Sequence, residues 1–470
     1  MLSAKSNRSR LVVVSNRLPG MKAVGGEERL RPIGGLATAV EAALSQRESG
    51  GVWIGWSGKI TSGNDRSGIK EIAAKPIRLL GLDLTENDVA AYYNGFCNKA
   101  LWPILHGFPG LATLSRSQLD VYRSVNRFFA SEIMSQLNEG DLVWIHDYHL
   151  FYLGHELRKL GWKGKIGFFL HVPFPSMESL EILPDYRELL SLMSAFDLVG
   201  FQTKIYRDNY ARACELSLGS QLKGNILVGG ESKQIADVFP VGIDVDKFLP
   251  SDGDRASGKG RITLGTPFQN LDIVLGVDRL DYTKGLPERT IAFETLLKTH
   301  PKIKRAVTMI QVCSPSRTKV SEYVEQKKRM DSLVGRINGE LSEHDWEPIR
   351  YLYRTYSQEE LIDFYRYSKV GLVTPLRDGM NLVAKEFVAA QYPDDPGVLT
   401  LSKFAGAAEQ MTEAILVNPY IPEDTADGIA LALEMPKGER IERHQALLKK
   451  VQDYSVQRWT NEFVSALISG

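Results

Sequence analysis

The 470-residue sequence predicts an α/β protein made of two doubly wound, parallel-sheet domains, and three observations carry that expectation. The length exceeds what one ordinary hydrophobic core organises, so two large domains fit better than several small ones. From Ile273 onward, short apolar runs alternate with segments of helical length, the pattern of a parallel sheet with crossover helices. Between the halves, Ser251 to Gly260 reads S-D-G-D-R-A-S-G-K-G, polar and without apolar period, and marks a surface loop. The expected division is residues 1–248, residues 249–455, and a C-terminal helix over 456–470 that packs back on the first domain.

Composition excludes several functional classes. With 57 basic and 57 acidic residues the formal charge is zero, so no global field draws the chain to nucleic acid or to a membrane, and any anion is held by local clusters. The expected partners are small molecules; oligomeric state is left open. Cys97, Cys214 and Cys313 are odd in number and lack metal-ligand spacing, which fits buried free thiols in a reducing cytoplasm. The basic N-terminus is followed by only a short apolar run, Leu11 to Val14, which reads as a strand and not as a signal peptide. Nothing later approaches membrane-spanning length.

In chain order, the first half opens with strand Leu11 to Ser15, then Asn16, Arg17 and a loop ending at Gly34-Gly35 before a helix over Leu36 to Leu44. Strand, glycine turn and helix start form an anion-binding arrangement, and Gly35 has no side chain to keep a diphosphate away. A strand carrying Trp53, Gly55 and Trp56 follows, then an aromatic stretch with Tyr92, Tyr93, Phe96 and Trp102. Such density usually marks core, although Tyr and Trp also present polar tips and flat faces to sugars. A helix over Ser115 to Leu137 leads to strand Leu142 to Ile145, capped by His146, Asp147, Tyr148 and His149. Strand Ile166 to Leu170 ends at His171. Asp147 and His171 thus stand where open parallel sheets bind ligands, outside the carboxyl ends of strands. A metal reading of His146, Asp147 and His149 competes, but adjacent loop residues point different ways, and no metal site is expected.

The second half holds two charged turns. After strand Ile273 to Val277 comes D-R-L-D-Y-T-K-G, placing Arg279 and Lys284 on one loop, where they can clamp a diphosphate or simply pair with Asp278 or Asp281. Arg317 is similarly placed after the next strand. After strand Val370 to Thr374, Pro375 to Phe387 reads P-L-R-D-G-M-N-L-V-A-K-E-F: a tight turn at Gly379, then a helix start. The amides of Met380, Asn381, Leu382 and Val383 lack intrahelical partners and suit an anion. Asp378 can accept sugar hydroxyls, and Glu386 can accept both hydroxyls of a ribose. An ordinary loop with a solvated charge pair is the competing reading.

These residues together resemble the trehalose-6-phosphate synthase family. The resemblance rests on V-S-N-R at Val14 to Arg17, G-G-L at Gly34 to Leu36, L-W-P at Leu101 to Pro103 and W-I-H-D-Y-H-L at Trp144 to Leu150. It rests equally on F-F-L-H-V-P-F-P at Phe168 to Pro175, V-D-R-L-D-Y-T-K-G at Val277 to Gly285 and the Pro375 to Phe387 stretch. It spans Arg10 to Asn418 and implies a GT-B fold, two Rossmann-like domains facing across a cleft. The implied activity is transfer of glucose from UDP-glucose to glucose 6-phosphate with retention, giving trehalose 6-phosphate and UDP.

The resemblance also implies roles. Arg279 and Lys284 hold the donor diphosphate, with Gly35 and the amides of Leu382 and Val383 opposite. Glu386 binds the ribose, and Asp378, Met380, Asn381 and His171 surround the transferred glucose. Asp147, Tyr93 and Trp102 meet the acceptor sugar, Arg17 and Arg317 its phosphate, and Trp56 walls the site. The region Ser251 to Asn270 departs from the family pattern, and no D-x-D-x-T motif follows a strand, so synthase activity alone is expected, with no cofactor or obligatory metal. Two rivals share these residues: a sister transferase using another nucleotide-glucose or acceptor, such as a glucosylglycerol-phosphate synthase, and a non-catalytic sugar-phosphate-binding regulator. ADP or GDP in place of UDP stays open.

Overall fold

The computed structural model describes residues 9–19, 40–41, 44, 51–74, 77–230, 232–250, 271–317 and 320–470. They form two units: the first holds 9–19, those from 40 to 241, and Val456–Gly470, and the second holds those within Gly242–Ser455. Gly34, Gly35, most of the expected helix Leu36 to Leu44 and the whole of 251–270 lie outside the described residues. The observed division falls at Val241/Gly242, ahead of the expected 248. Residues after Gly242 belong with the second unit: the Phe248 and Leu249 carbonyls accept from Arg366 at 3.4 and 3.2 Å.

The first unit's strands are β1 (Leu11–Arg17), β2 (Gly51–Ile60), β3 (Ser67–Ala73), β4 (Arg78–Leu84), β5 (Leu142–His146), β6 (Ile166–Phe169), β7 (Leu198–Phe201), β8 (Gln221–Lys223), β9 (Ile226–Gly229) and β10 (Ser232–Val238). They make one sheet in the order β3-β4-β2-β1-β5-β6-β7-β10-β9-β8. From β4 to β10 every pairing is parallel. Strands covered on both faces read as continuous apolar runs, which is why Leu11 to Val14 are fully buried and visible in the sequence. The antiparallel edges β3 and β8–β9 were not expected, because S-G-I-K-E-I-A and Q-L-K carry no such run. Short, charged edges discourage pairing with another sheet.

Helix α1 (Arg116–Met134) buries Leu119, Tyr122, Val125, Phe129 and Ile133, spaced three or four apart, and starts at Ser115, whose hydroxyl accepts from the Gln118 amide at 3.5 Å. The aromatic stretch before it is a π-helix, Val89–Leu101, burying Tyr92, Phe96 and Cys97. Nothing in residue spacing announces that wider turn, a geometry often found beside functional sites.

The second unit contains β11 (Asp272–Arg279), β12 (Val307–Ser314), β13 (Ile349–Leu352), β14 (Val370–Val373), β15 (Val398–Ser402) and β16 (Ile415–Val417), all parallel, in the order β13-β12-β11-β14-β15-β16. This is the doubly wound architecture that the alternation predicts, and each unit is Rossmann-like. Strand order reverses between β11 and β14 here and between β1 and β5 in the first unit. Each reversal opens a crevice at the strands' carboxyl ends. Helices α2 (Leu286–Thr299) and α3 (Leu382–Ala390) follow β11 and β14. Gly285 precedes α2 at φ +64°, and a Cβ there would lie 2.6 Å from the Thr374 carbonyl oxygen.

The last helix, α4 (Val456–Ser469), packs on the first unit's sheet. Phe463 stacks on Trp144 at 4.6 Å, and Trp459 lies 4.8 Å from the same ring. Phe463 fills a hollow left by two glycines: Cβ atoms at Gly167 and Gly200 would stand 2.7 and 2.8 Å from its ring. No helix among the described residues is long and apolar enough to cross a membrane.

Because Phe463 is wholly buried, Phe463→Ala should destabilise the protein by about 3–5 kcal/mol, read as a lower midpoint in chemical denaturation. An unchanged midpoint would mean that α4 contributes nothing to the first unit's core.

Candidate active site

At the first unit's reversal, β1, β2, β5 and β6 end in the residues singled out from sequence. Arg17 closes β1, exposed, with its guanidinium 5.2 Å over the Trp56 ring. Trp56 is buried in β2, donates from Nε1 to the Lys59 carbonyl at 2.7 Å, and lies 6.1 Å from Tyr93. Tyr93 stacks on His149 at 6.0 Å; His149 lies 3.9 Å from Tyr148, itself 5.7 Å from buried Trp102. A continuous aromatic chain thus links Arg17, Trp56, Tyr93 and Trp102. Tyr92 faces inward, donating to Asn16 Oδ1 at 2.7 Å, which ties the π-helix to the end of β1.

Asp147 follows β5 directly with φ +76°, a conformation that costs a non-glycine residue of order 1–3 kcal/mol and concentrates at functional sites. It is pinned there from several sides. Its amide donates to the Phe169 carbonyl at 2.9 Å, and its Oδ1 accepts from the His171 amide at 3.3 Å. The His171 ring meets His146, Nε2 to Nδ1, at 3.0 Å. Burial holds the His171 imidazole neutral, with its pKa down to about 3.

At the second unit's reversal the chemistry is cationic. Arg279, ending β11, is partly exposed; its Nη1 donates to Ser316 Oγ at 3.3 Å and its Nη2 lies 3.5 Å from Asp281 Oδ2. Arg317, at φ +43°, approaches the same Asp281 oxygen at 3.5 Å and donates to the Tyr323 hydroxyl. Tyr323 in turn donates to Asp281 at 3.1 Å. Burial alone would raise the Asp281 pKa, but the charges of Arg279, Arg317 and Lys284 and the Thr283 amide hold it down to about 2. Asp281 is therefore an anion that keeps two guanidinium groups together.

Lys284 forms an ion pair with Asp378, whose Oδ2 also accepts from the Asn381 side-chain Nδ2 at 3.0 Å. The loop carrying Asp378 is anchored on both sides: the Leu376 amide donates to the Thr283 carbonyl at 2.8 Å, and the Ala407 amide to the Met380 carbonyl at 2.8 Å. The chain bends at Gly379, as expected, and the left-handed residue is Asn381, two positions on, at φ +75°. Asparagine tolerates this conformation. Asn381 caps α3, whose opening residues Leu382 and Val383 present first-turn amides. One turn on, half-buried Glu386 accepts from the Tyr365 hydroxyl at 3.0 Å, and burial pushes its carboxyl up to about 7.

The structure thus gathers Arg17, Trp56, Tyr93, Trp102, Asp147 and His171 in the first unit, and Arg279, Lys284, Arg317, Asp378, Met380, Asn381, Leu382, Val383 and Glu386 in the second. Gly35 lies outside the described residues. Asp278, considered a partner for Arg279, instead pairs with Arg289 at 2.6 Å. Tyr323 and Tyr365 were assigned no role from sequence, His146 was weighed only as a metal ligand, and Asp281 only as an ion-pair partner. Asp281 had a local signal, lying two residues from Arg279, but Tyr323 and Tyr365 had none. Among the described residues, no group of three or more His, Cys, Asp or Glu side chains is arranged to hold a metal ion.

A model described as glycosyltransferase family 20 matches residues 9–469. A trehalose-6-phosphate synthase of Sinorhizobium fredii is 40% identical over 460 residues, covering 98% of this chain and 98% of that protein. A crystal structure of a UDP-forming α,α-trehalose-phosphate synthase from Burkholderia xenovorans in complex with glucose 6-phosphate aligns with a TM-score of 0.92 at 37% identity, covering 98% of this chain and 100% of that one. An E. coli structure bound with UDP-2-fluoro glucose aligns with a TM-score of 0.89 at 37% identity, covering 98% and 99%.

The Asp281 cluster makes a pH prediction. Its folded-state pKa is depressed, so its stabilising contribution is present above the unfolded value near 4 and is lost as pH falls toward 2. Acidification from about pH 4 to about pH 2 should remove up to about 2 kcal/mol of stability through this group. Urea titrations across that window should show a smaller loss in Asp281→Asn; an identical loss would remove Asp281 from this role.

Proposed function

The chain belongs to glycosyltransferase family 20, and we infer that it transfers glucose from UDP-glucose to glucose 6-phosphate with retention of configuration, giving trehalose 6-phosphate and UDP. The observation that carries this reading is the second unit's reversal, where Arg279, Lys284 and the start of α3 surround the place a nucleotide diphosphate takes in such sheets.

The bond that breaks joins the anomeric carbon to a diphosphate that leaves with growing negative charge. Preorganised cations and amides lower that barrier most. Arg279 and Lys284 hold the diphosphate, with the Leu382 and Val383 amides, and Gly35 serves it as well. Lys284 turns from Asp378 toward phosphate, which frees Asp378 for sugar hydroxyls alongside Met380, Asn381 and His171. Glu386 takes the ribose: two hydroxyl donors favour the carboxylate that burial otherwise disfavours. In the first unit, Asp147, Tyr93 and Trp102 hold the acceptor sugar, Trp56 walls it and Arg17 meets its phosphate.

Attack comes from the face the leaving group departs, through an oxocarbenium-like state, and the departing phosphate oxygen takes the acceptor proton. Asp147 then positions the acceptor hydroxyl and needs no covalent role, unlike the nucleophile of a retaining glycosidase. With two cations at the diphosphate, no obligatory metal is required. Cytoplasmic residence suits the three buried free thiols, Cys97, Cys214 and Cys313.

The direct test is a panel of UDP-, ADP- and GDP-glucose with glucose 6-phosphate and with glycerol 3-phosphate. Mass and proton NMR should identify an α,α-1,1-linked disaccharide phosphate formed from UDP-glucose, with most turnover surviving excess EDTA. A β-linked product would overturn retention, and loss of turnover restored by magnesium would overturn metal independence.

The two units should separate in kinetics. Arg279→Ala or Lys284→Ala should lower turnover about a hundredfold or more, the effect of losing roughly 2–4 kcal/mol of transition-state stabilisation. Arg17→Ala should raise KM for glucose 6-phosphate about tenfold or more while calorimetric UDP affinity stays unchanged. Collapse of UDP affinity in Arg17→Ala would place Arg17 with the donor. The same measurements on Arg317→Ala assign that residue, which shares Asp281 with Arg279, to one phosphate or the other.

A further inference from the structure

His146 and His171 make a contact between two neutral rings. Burial lowers both pKa values, His171 to about 3 and His146 well below its usual range, so each imidazole carries one ring proton. The contact joins His146 Nδ1 to His171 Nε2 at 3.0 Å, and a hydrogen bond there contains a single hydrogen. Two arrangements satisfy it. In one, His171 Nε2–H donates, so His146 carries its proton on Nε2. In the other, His146 Nδ1–H donates, so His171 carries its own proton on Nδ1.

The surroundings of His146 Nε2 decide between them. That nitrogen is fully buried and has no hydrogen-bond partner among the described residues. Its ring lies 4.6 Å from Trp144 and 6.2 Å from Trp459, indoles that offer it no acceptor. Placing the proton there would orphan a buried N–H, the kind of group that folded proteins almost always satisfy. A bare Nε2 lone pair is the less costly choice. His171 Nδ1 has no partner within the protein among the described residues, and His171 is only half-buried, so its Nδ1–H remains to be donated.

We propose that His146 is a positioning residue that fixes the tautomer of His171, so that His171 donates Nδ1–H to a hydroxyl oxygen of the transferred sugar. The proposal rests on the reading of His171 as a sugar contact. It also gives α4 a part in the chemistry, since the Trp459 ring lies 6.0 Å from His171 and helps to keep water from His146.

The test uses the full-length chain labelled with 15N in its histidine rings and two-bond 15N–1H correlation spectra, with His171→Gln to assign the signals. His171 should show a protonated Nδ1 and a bare Nε2. His146→Leu should lose that single tautomer and lower turnover about tenfold or more, with calorimetric UDP affinity unchanged. His146→Asn, whose amide N–H takes the place of Nδ1–H, should keep the tautomer and recover most of the lost turnover. A protonated Nε2 on His171 in the parent chain, or the same tautomer in the leucine variant, would overturn the proposal. Should the leucine variant fail to fold, the parent and asparagine spectra decide alone. The spectra report the tautomer whether or not sugar is present, whereas undiminished turnover in His171→Ala would overturn the sugar contact and the inference resting on it.

Discussion

Arg289 lies on α2 with its side chain wholly shielded from water, and the second unit's site is built on what it holds. Its Nη1 donates to Asp278 Oδ2 at 2.6 Å and to Gln311 Oε1 at 3.1 Å, and its Nε donates to Thr374 Oγ1 at 2.9 Å. Asp278 stands at the end of β11 and Thr374 just past β14, so one guanidinium spans the two strands that flank the reversal. Gly276 makes room, since a Cβ there would lie 2.6 Å from Nη1. An unpaired buried charge costs several kcal/mol, so Arg289 and Asp278 each depend on the other. Arg279 follows Asp278 and Asp378 follows Thr374 by a few residues, so both inherit positions fixed from beneath. The charges are thus rigid at their roots, which a preorganised anion site requires.

In the proposed function the two units solve different recognition problems with different materials. Sugars present hydroxyls and weakly apolar faces, and the first unit answers with stacked rings, a strained aspartate and neutral imidazoles. A diphosphate presents concentrated charge. In the proposed function the second unit answers with cations, which stand close together because Asp281 bridges Arg279 and Arg317 and Asp378 pairs with Lys284. Glu386 belongs to neither pattern: burial raises its carboxyl pKa to about 7, and in the proposed function the ribose hydroxyls favour its charged form.

The parallel strands were legible because coverage on both faces leaves a nearly unbroken apolar run, as in Leu11 to Val14 and Val370 to Val373. The succession of β14, turn and α3 start was legible for a related reason, since the three are consecutive in the chain. What sequence hid depended on contacts between distant residues. The edges β3, β8 and β9 are defined by whom they pair with. The partner of Asp278 turned out to be Arg289, across a helix turn and not beside it. Likewise His146 meets His171, and Tyr323 meets Asp281, only after the sheets form. The π-helix and the left-handed Asn381 are backbone choices that side-chain periodicity does not record.

The return of α4 to the first unit has a consequence for biosynthesis. The hollow over Gly167 and Gly200 is bounded by strands made early, yet the ring that fills it, Phe463, emerges only after all of Gly242–Ser455. At ribosomal speeds of about 5–20 residues per second, the nascent first unit waits on the order of ten seconds or more with Trp144 and Phe169 uncovered. During that interval it is a sheet with one apolar face open, a target for chaperones and for its own neighbours on a polysome. The second unit has no such debt and can fold as soon as its last strand and helices leave the tunnel. The order of synthesis and the order of completion are therefore reversed: the unit begun first is finished last.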